Sequence, residues 1–437
     1  MFSQWSCFAI AVALSFATTT VRAAEPTWSG SWDVTAAFGA DSSSARMTLK
    51  PEGDKIEGSS GPLDENGYYP LTLRGRQAGQ NIELTAVFRD APVGALSLSF
   101  RGLEFSGSGV LYGVPVTVAG RRPPQAVRAP RSHDFKPSTY HLYYSARNPP
   151  ALRIAPGDKV RTTTLDNEGQ DQKLEWRGMP GNTLTGPFHI EGAMPGDTLI
   201  VHIDRVDLSR DSAKMESRTL SQQSVQGGYL QTPATGWDRF WLLDRAKGVA
   251  RLRTPTPRLA DLEIPLRPMI GSIGVSPPQN QALNAGDLGF HGGNLDFNRI
   301  TAGSTLYLPV FRAGALLSLG DGHALQGDGE ISGQGLETSL DIEFRVDLIK
   351  GWTLGQVWSE DANFVMVSGI DNSLDSSFQM ATTGMARWLK RTYALNDSEV
   401  AALMSSSIEY RIAEVVDSRP HVVAMMSKVI LARIRRL

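Results

Sequence analysis

Cysteine is almost missing from this sequence: there is one in 437 residues, Cys7. It sits in an uncharged, mostly apolar run, Cys7 to Phe16 (CFAIAVALSF), followed by polar residues and the small-residue pattern Val21-Arg22-Ala23. That order reads as a secretory signal cleaved near Ala23, although the leading MFSQW carries no lysine or arginine. The expected location is therefore secreted or periplasmic. Cleavage would leave a chain without cysteine, which excludes a disulfide framework and a cysteine nucleophile. Long hydrophobic runs are missing too: the signal run is too short to span a bilayer, and no later segment is long and apolar enough. Neither sign of charge dominates, with 43 Lys and Arg against 45 Asp and Glu and no long basic tract, so nothing points to a nucleic-acid partner. Three catalytic signatures are also absent: the Gly-x-Ser-x-Gly elbow, the His-Glu-x-x-His helix and the Walker-type phosphate loop. Nor is there the Gly- and Ser-rich catalytic run of a Ser/Ser/Lys amidase.

Turn-forming residues, in contrast, are plentiful. The 43 glycines and 25 prolines favour a β-rich fold over a helix bundle, and 41% hydrophobic against 20% charged residues is globular material. The length suits two to three domains. After the signal (1–23), residues 24–120 alternate apolar and polar positions in short stretches: WDVTAAF, ARMTLKP, YPLTLRG, NIELTAVF, LSLSFRG, VPVTVAG. This predicts a small antiparallel β-domain, an accessory module with no chemical constellation, whose WSGSWDV start resembles lipocalin-like domains. Residues 121–135 read as a linker, since RRPPQAVRAPR cannot build a core. Residues 136–437 form the third unit. Short strands such as TLIVHIDRVDL and SLDIEFRVDLI fill it as far as about Ser373. Helices are then expected over 375–391, from Asn396 (Asn396-Asp397-Ser398-Glu399 is a capping box), and over 422–437, whose end carries Arg433, Arg435 and Arg436. The fold class is mainly β with C-terminal helices (α+β), a sandwich- or barrel-like catalytic domain behind the small β-domain.

The densest chemical signal is Gly320–Glu337, GDGHALQGDGEISGQGLE. Asp321 and His323 are two apart and share a face if extended, as do Asp328 and Glu330. A turn through 324–327 would bring three carboxylates and an imidazole together. Crowded carboxylates repel unless a cation neutralises them, so a bound metal is one resolution. A Gly-rich hairpin whose aspartates serve turns is the other. Weaker clusters are His291-Gly-Gly-Asn294-Leu-Asp296 and Thr164-Leu-Asp166.

Four blocks together resemble the acetamidase/formamidase family: APGDKVRTTTLD (155–166), LTGPFHIEGAMPGDTLIVHI (184–203), PMIGSIGVSP (268–277) and HGGNLDFNRITAGSTLYLPVFRAGALLSLGDGHALQGDGEISGQGLE (291–337). The likeness runs from about His141 to the C-terminus. It implies a metal-dependent hydrolase that splits small linear amides into a carboxylate and ammonia. By motif position it implies Glu337, Glu330 and Asp296 as catalytic groups. Asn294, His141 and Gln326 become substrate-binding residues, and Asp321, His323, Asp328 and Asp166 metal ligands. The implied cofactor is a divalent cation, zinc first, with calcium as a second or structural ion. The implied partner is a small amide, with no membrane span and with self-association left open. Two departures stand out: the apparent export with an added domain, and 405–417, SSSIEYRIAEVVD, which lacks an expected Gly-Asp. They keep two alternatives in view, an exported binding protein on the same fold and a hydrolase of a larger amide or amidine.

Overall fold

The computed structural model describes residues 27–435 except 40, 62–70, 124–127, 234, 237, 280 and 353–354. The expected signal segment, Arg436 and Leu437 lie outside the described residues.

Period-two alternation builds the first unit. In the strand Asn81–Phe88 (NIELTAVF), Ile82, Leu84 and Ala86 point inward and the polar residues between them outward. Eight such strands, from Gly30–Phe38 to Val114–Arg121, pair each with the next, and the last returns to the first to close an antiparallel barrel. Closure leaves no unpaired sheet edge. Trp32 is fully buried, with the rings of Phe100 and Phe105 edge-on at 4.9 and 5.4 Å. Arg122 lies over the Trp32 ring at 4.0 Å and donates to the carbonyls of Thr27 and Ser29.

This revises the linker. Arg121 belongs to the last barrel strand and Arg122 caps the barrel. Arg128 pairs with the buried carboxylate of Asp158 at 2.7 Å. Ser132–Asp134 is already a strand of the second unit, parallel to Lys159–Thr163. Arg122 and Arg128 are thus taken up by carbonyls and a carboxylate.

The second unit is a sandwich of two large sheets, one of eleven strands and one of nine. Their facing sides supply one continuous core, including Phe188, Leu199, Val201, Ile270, Leu317, Leu319 and Phe344. Two helices, α1 (Leu374–Tyr393) and α2 (Asp397–Ser407), are associated with the nine-stranded sheet, where Ala381, Met385, Trp388, Leu389, Val400 and Met404 form a second cluster with Val367, Ala424 and Met426. Both helices start where the sequence places them, each behind a capping box, at Ser373 and at Asn396. The third expected helix is not one. His421–Ser427 is a strand between Phe364–Ile370 and Glu409–Glu414, and only Lys428–Leu431 is helical. The central run of that strand, VVAMM, is apolar throughout because Val423 and Met425 face the sandwich core while Ala424 and Met426 face the helices. A run buried on both faces has no period to distinguish strand from helix. Among the described residues no helix is long and apolar enough to cross a membrane.

Candidate active site

The site lies in the eleven-stranded sheet. Strand Leu317–His323 runs between Met269–Gly274 on one side and Leu184–Ile190 and Glu337–Thr338 on the other. His323 is directly opposite Glu337 across the ladder, and Asn294 is opposite Ser272. Asp296, Asp321, His323, Glu330 and Glu337 are all buried. Nε2 of His323 is 3.2 Å from Glu337 Oε1 and 3.5 Å from Asp321 Oδ1, and Nδ1 is 3.7 Å from Asp296 Oδ1. A cavity of about 250 Å³ opens onto Asp321, His323, Glu330, Glu337 and Asp417.

Supporting hydrogen bonds hold these groups in place. Gln326 Oε1 accepts from His323 Nδ1 at 2.8 Å, while its Nε2 donates to the Asp296 carbonyl at 2.6 Å. With Nδ1–H so engaged, Nε2 is the nitrogen that faces Asp321 and Glu337, and it would offer a lone pair to a cation only when deprotonated. Asn294 is wholly committed. Its Nδ2 donates to Asp296 (2.5 Å) and Asp417 (2.7 Å), and its Oδ1 accepts from Ser272 (2.5 Å) and Asn182 (2.9 Å). Asn182 Nδ2 also reaches Asp321 Oδ2 at 3.2 Å.

The electrostatics are severe. Burial pushes the Glu337 carboxyl up to about 7, with Asp321 adding to the rise and His323 opposing it. Burial likewise raises Asp296, reinforced by Glu330 and Asp321, and Asp417 to about 6. Burial favours a neutral His323, but Glu337 and Asp321 raise it well above an ordinary histidine. Asp296 Oδ1, Asp321 Oδ1 and Glu337 Oε2 are buried without a hydrogen-bond partner. Buried polar atoms are normally satisfied, so three orphaned carboxylate oxygens around one imidazole form a donor set that would suit a cation. Two triads have ligand atoms within 4.8 Å of one another: Asp296, Asp321 and His323, and His323, Glu330 and Glu337. The residues present fit a divalent metal.

Six of the expected site residues are thus in or around one cluster: Asn294, Asp296, Asp321, His323, Glu330 and Glu337. Four expectations need correcting. Asp328 is 37% exposed and pairs with Arg411 at 2.7 Å, because 326–333 is looped and the same-face rule for extended chain fails there. Asp166 is bound by Arg210 (2.7 Å) and lies 3.4 Å from Lys214, so its charge is already neutralised; Arg210 in turn reaches the Glu337 carbonyl. Gln326 stands behind His323, not in the cavity wall, and orients the ring. His141 pairs through its backbone with Leu184 and does not line the cavity. Asp417 and Glu414 were missed. Glu414, fully buried and raised by burial to about 8, accepts the amides of Val416 and Asp417 and so shapes the turn that presents Asp417. The only signal was two acids in AEVVD, in a stretch read for a glycine it lacks.

Comparison with known proteins agrees with the motif blocks. The model of the Acetamidase/Formamidase family matches residues 289–430, the stretch that carries Asn294 through Asp417. Over that stretch the chain is similar to the acetamidase/formamidase family. A formamidase of Methylophilus methylotrophus is 28% identical over 253 residues, 46% of this chain and 62% of that protein. An acetamidase of Mycolicibacterium smegmatis is 52% identical over 62 residues, 14% of this chain and 15% of that protein. The matched stretches thus span less than two thirds of these curated family members. The crystal structure of a predicted acetamidase/formamidase from Thermoanaerobacter tengcongensis superposes with TM-score 0.60 and 28% identity over 70% of this chain and 99% of that one. An acetamidase from Yersinia enterocolitica gives the same TM-score and identity, covering 70% of this chain and 95% of that one.

Proposed function

We propose that this chain is a metal-dependent hydrolase of linear amides, converting R–CO–NH2 and water into a carboxylate and ammonia. The observation that supports the reading best is His323 enclosed by Asp321, Glu337 and Asp296, with orphaned carboxylate oxygens beside a polar cavity. The names of the family members point the same way. Asp296, Asp321 and His323 are the residues that would hold the cation. Imidazole among carboxylates favours zinc over calcium. A cation there supplies Lewis acidity that offsets negative charge developing on the amide oxygen.

Glu337 carries the proton. Titrating near neutrality, it is basic enough to take a proton from the attacking water and acidic enough to return it to the nitrogen as the C–N bond breaks. Gln326 fixes the ring of His323, and Asn294 and Asn182 fix the carboxylates, so the groups are ordered before substrate arrives. The test is ammonia release from formamide, acetamide and other primary amides by the purified full chain, with metal content measured in parallel. Glu337→Gln keeps the shape and removes the base, and turnover should fall at least about a hundredfold. Chelation should abolish turnover and added zinc restore it. A Glu337→Gln variant of full activity would remove this residue from the chemistry, and turnover indifferent to chelation would remove the metal.

A further inference from the structure

The cavity has an unusual wall. Among the described residues, not one of the side chains lining it is apolar. Apart from glycines and the acidic cluster with His323, the lining consists of carboxamides: Asn167, Asn182, Asn284, Asn294 and Gln334. Among the described residues no lysine or arginine lines it. Several of the carboxamides have capacity to spare. Asn284 Oδ1 accepts from the Gly286 amide at 2.9 Å, and Gln334 Oε1 from the Glu216 amide at 2.6 Å. That orients both groups while their NH2 ends have no partner among the described residues. The Asn167 side chain has none either.

Size adds a second constraint. At roughly 30 Å³ for each water-sized group, acetamide with its four heavy atoms fills about half of such a space. The 250 Å³ cavity therefore has room for a longer molecule. The part beyond the reacting amide meets only hydrogen-bonding groups. An alkyl chain there would strip water from the carboxamides and return nothing. A carboxylate at the far end would face an acidic wall with no lysine or arginine among the described lining residues to pair with. An ammonium has no lone pair to accept the spare N–H donors. A neutral acceptor satisfies all three conditions.

We propose that the preferred substrate is a primary amide whose far end carries a neutral hydrogen-bonding group, such as a second carboxamide or a hydroxyl, recognised by Asn167, Asn284 and Gln334. This rests on the amide-hydrolase reading of the same site and narrows it to a substrate class. The experiment compares kcat/KM for malonamide, for isovaleramide (the same heavy-atom skeleton with an apolar end) and for acetamide, using the full chain with its metal. Malonamide should exceed both by at least about tenfold, because sites built to hydrogen-bond a group reject analogues that lack it. The double variant Asn284→Ala/Gln334→Ala should raise KM for malonamide about tenfold and leave acetamide turnover unchanged. If the double variant does not fold, Asn167→Ala gives the same comparison. Equal or better turnover of isovaleramide or acetamide overturns the substrate class while leaving amide hydrolysis standing. A rim variant that slows all three amides alike, or none, overturns the assignment of the carboxamides. No ammonia from any amide brings down the underlying reading, and this one with it.

Discussion

At the scale of single residues, the site is held in backbone conformations that side chains usually avoid. Asp296, Asp321 and Glu330 all have positive φ, at 40°, 53° and 44°. Such residues cost about 1–3 kcal/mol each and persist only where surrounding structure enforces them. One enforcing contact is the close approach of Gly271. A Cβ at that position would lie 2.6 Å from Asp296 Oδ1, 2.6 Å from Asp321 Oδ2 and 2.9 Å from the Asp321 carbonyl. Gly271→Ala therefore pushes two carboxylates apart inside a packed interior. The expected outcome is a loss of about 1–3 kcal/mol in unfolding free energy and a larger proportional loss of bound metal and amide turnover. Thermal unfolding with metal analysis checks this. A variant with native metal content and activity would show that the carboxylates have room to move.

At the scale of elements, local signals decide the helices and long-range pairing decides the strands. In α2, Asn396 accepts from the Glu399 amide at 3.0 Å and Glu399 returns the bond to the Asn396 amide at 2.8 Å. This reciprocal cap is an N-terminal signal complete within four residues. Asn396→Ala should cost about 1 kcal/mol of stability, seen as a lower denaturation midpoint, with amide turnover unchanged because α2 contributes no side chain to the cavity. An unchanged midpoint would mean that packing of Val400 and Met404 alone holds the helix start. The loop carrying Glu330 behaves in the opposite way. It is tied by Gly329, whose amide donates to the carbonyls of Ile412 and Ala413 and whose carbonyl accepts from Val415, to a strand some eighty residues later. That tie brings Glu330 to His323 and leaves Asp328 outside.

At the scale of the whole molecule, the barrel and the sandwich have separate cores but share ion pairs. Asp197, buried in the sandwich, accepts from Arg46 of the barrel at 3.1 Å and from Lys350 and the Gly351 amide beside it. Arg46 also holds Asp33 at 2.6 Å within the barrel. We propose that the barrel is an independent folding unit ending after Arg122. A fragment of residues 27–123 should give a β-type circular dichroism spectrum and unfold cooperatively, since its core is complete and its edges are closed. A fragment stopping at Gly120 loses the Arg122–Trp32 cap and should be less stable. If neither fragment folds, the barrel depends on the sandwich, and the Arg46–Asp197 pair is the first contact to suspect.

How far the sequence alone reaches follows from the range of the forces involved. Alternation, turn residues and capping boxes act over a few positions, so the β-rich class, the barrel strands, α1 and the start of α2 were legible. So was the neighbourhood of the site, because Asp321, His323, Glu330 and Glu337 lie within seventeen positions of one another. What the sequence could not decide was which acids face the imidazole. Spacing placed Asp328 with His323, and the family resemblance placed Asp166 there. The fold instead gave Asp328 to Arg411 and Asp166 to Arg210, and drew in Asp417 from a distant turn. Nor could it tell strand from helix in HVVAMMS, where both faces are covered. Those outcomes depend on partners far away in the chain. Only tertiary structure decides them, because the pairing of buried charges and the covering of apolar faces are settled by which segments pack together.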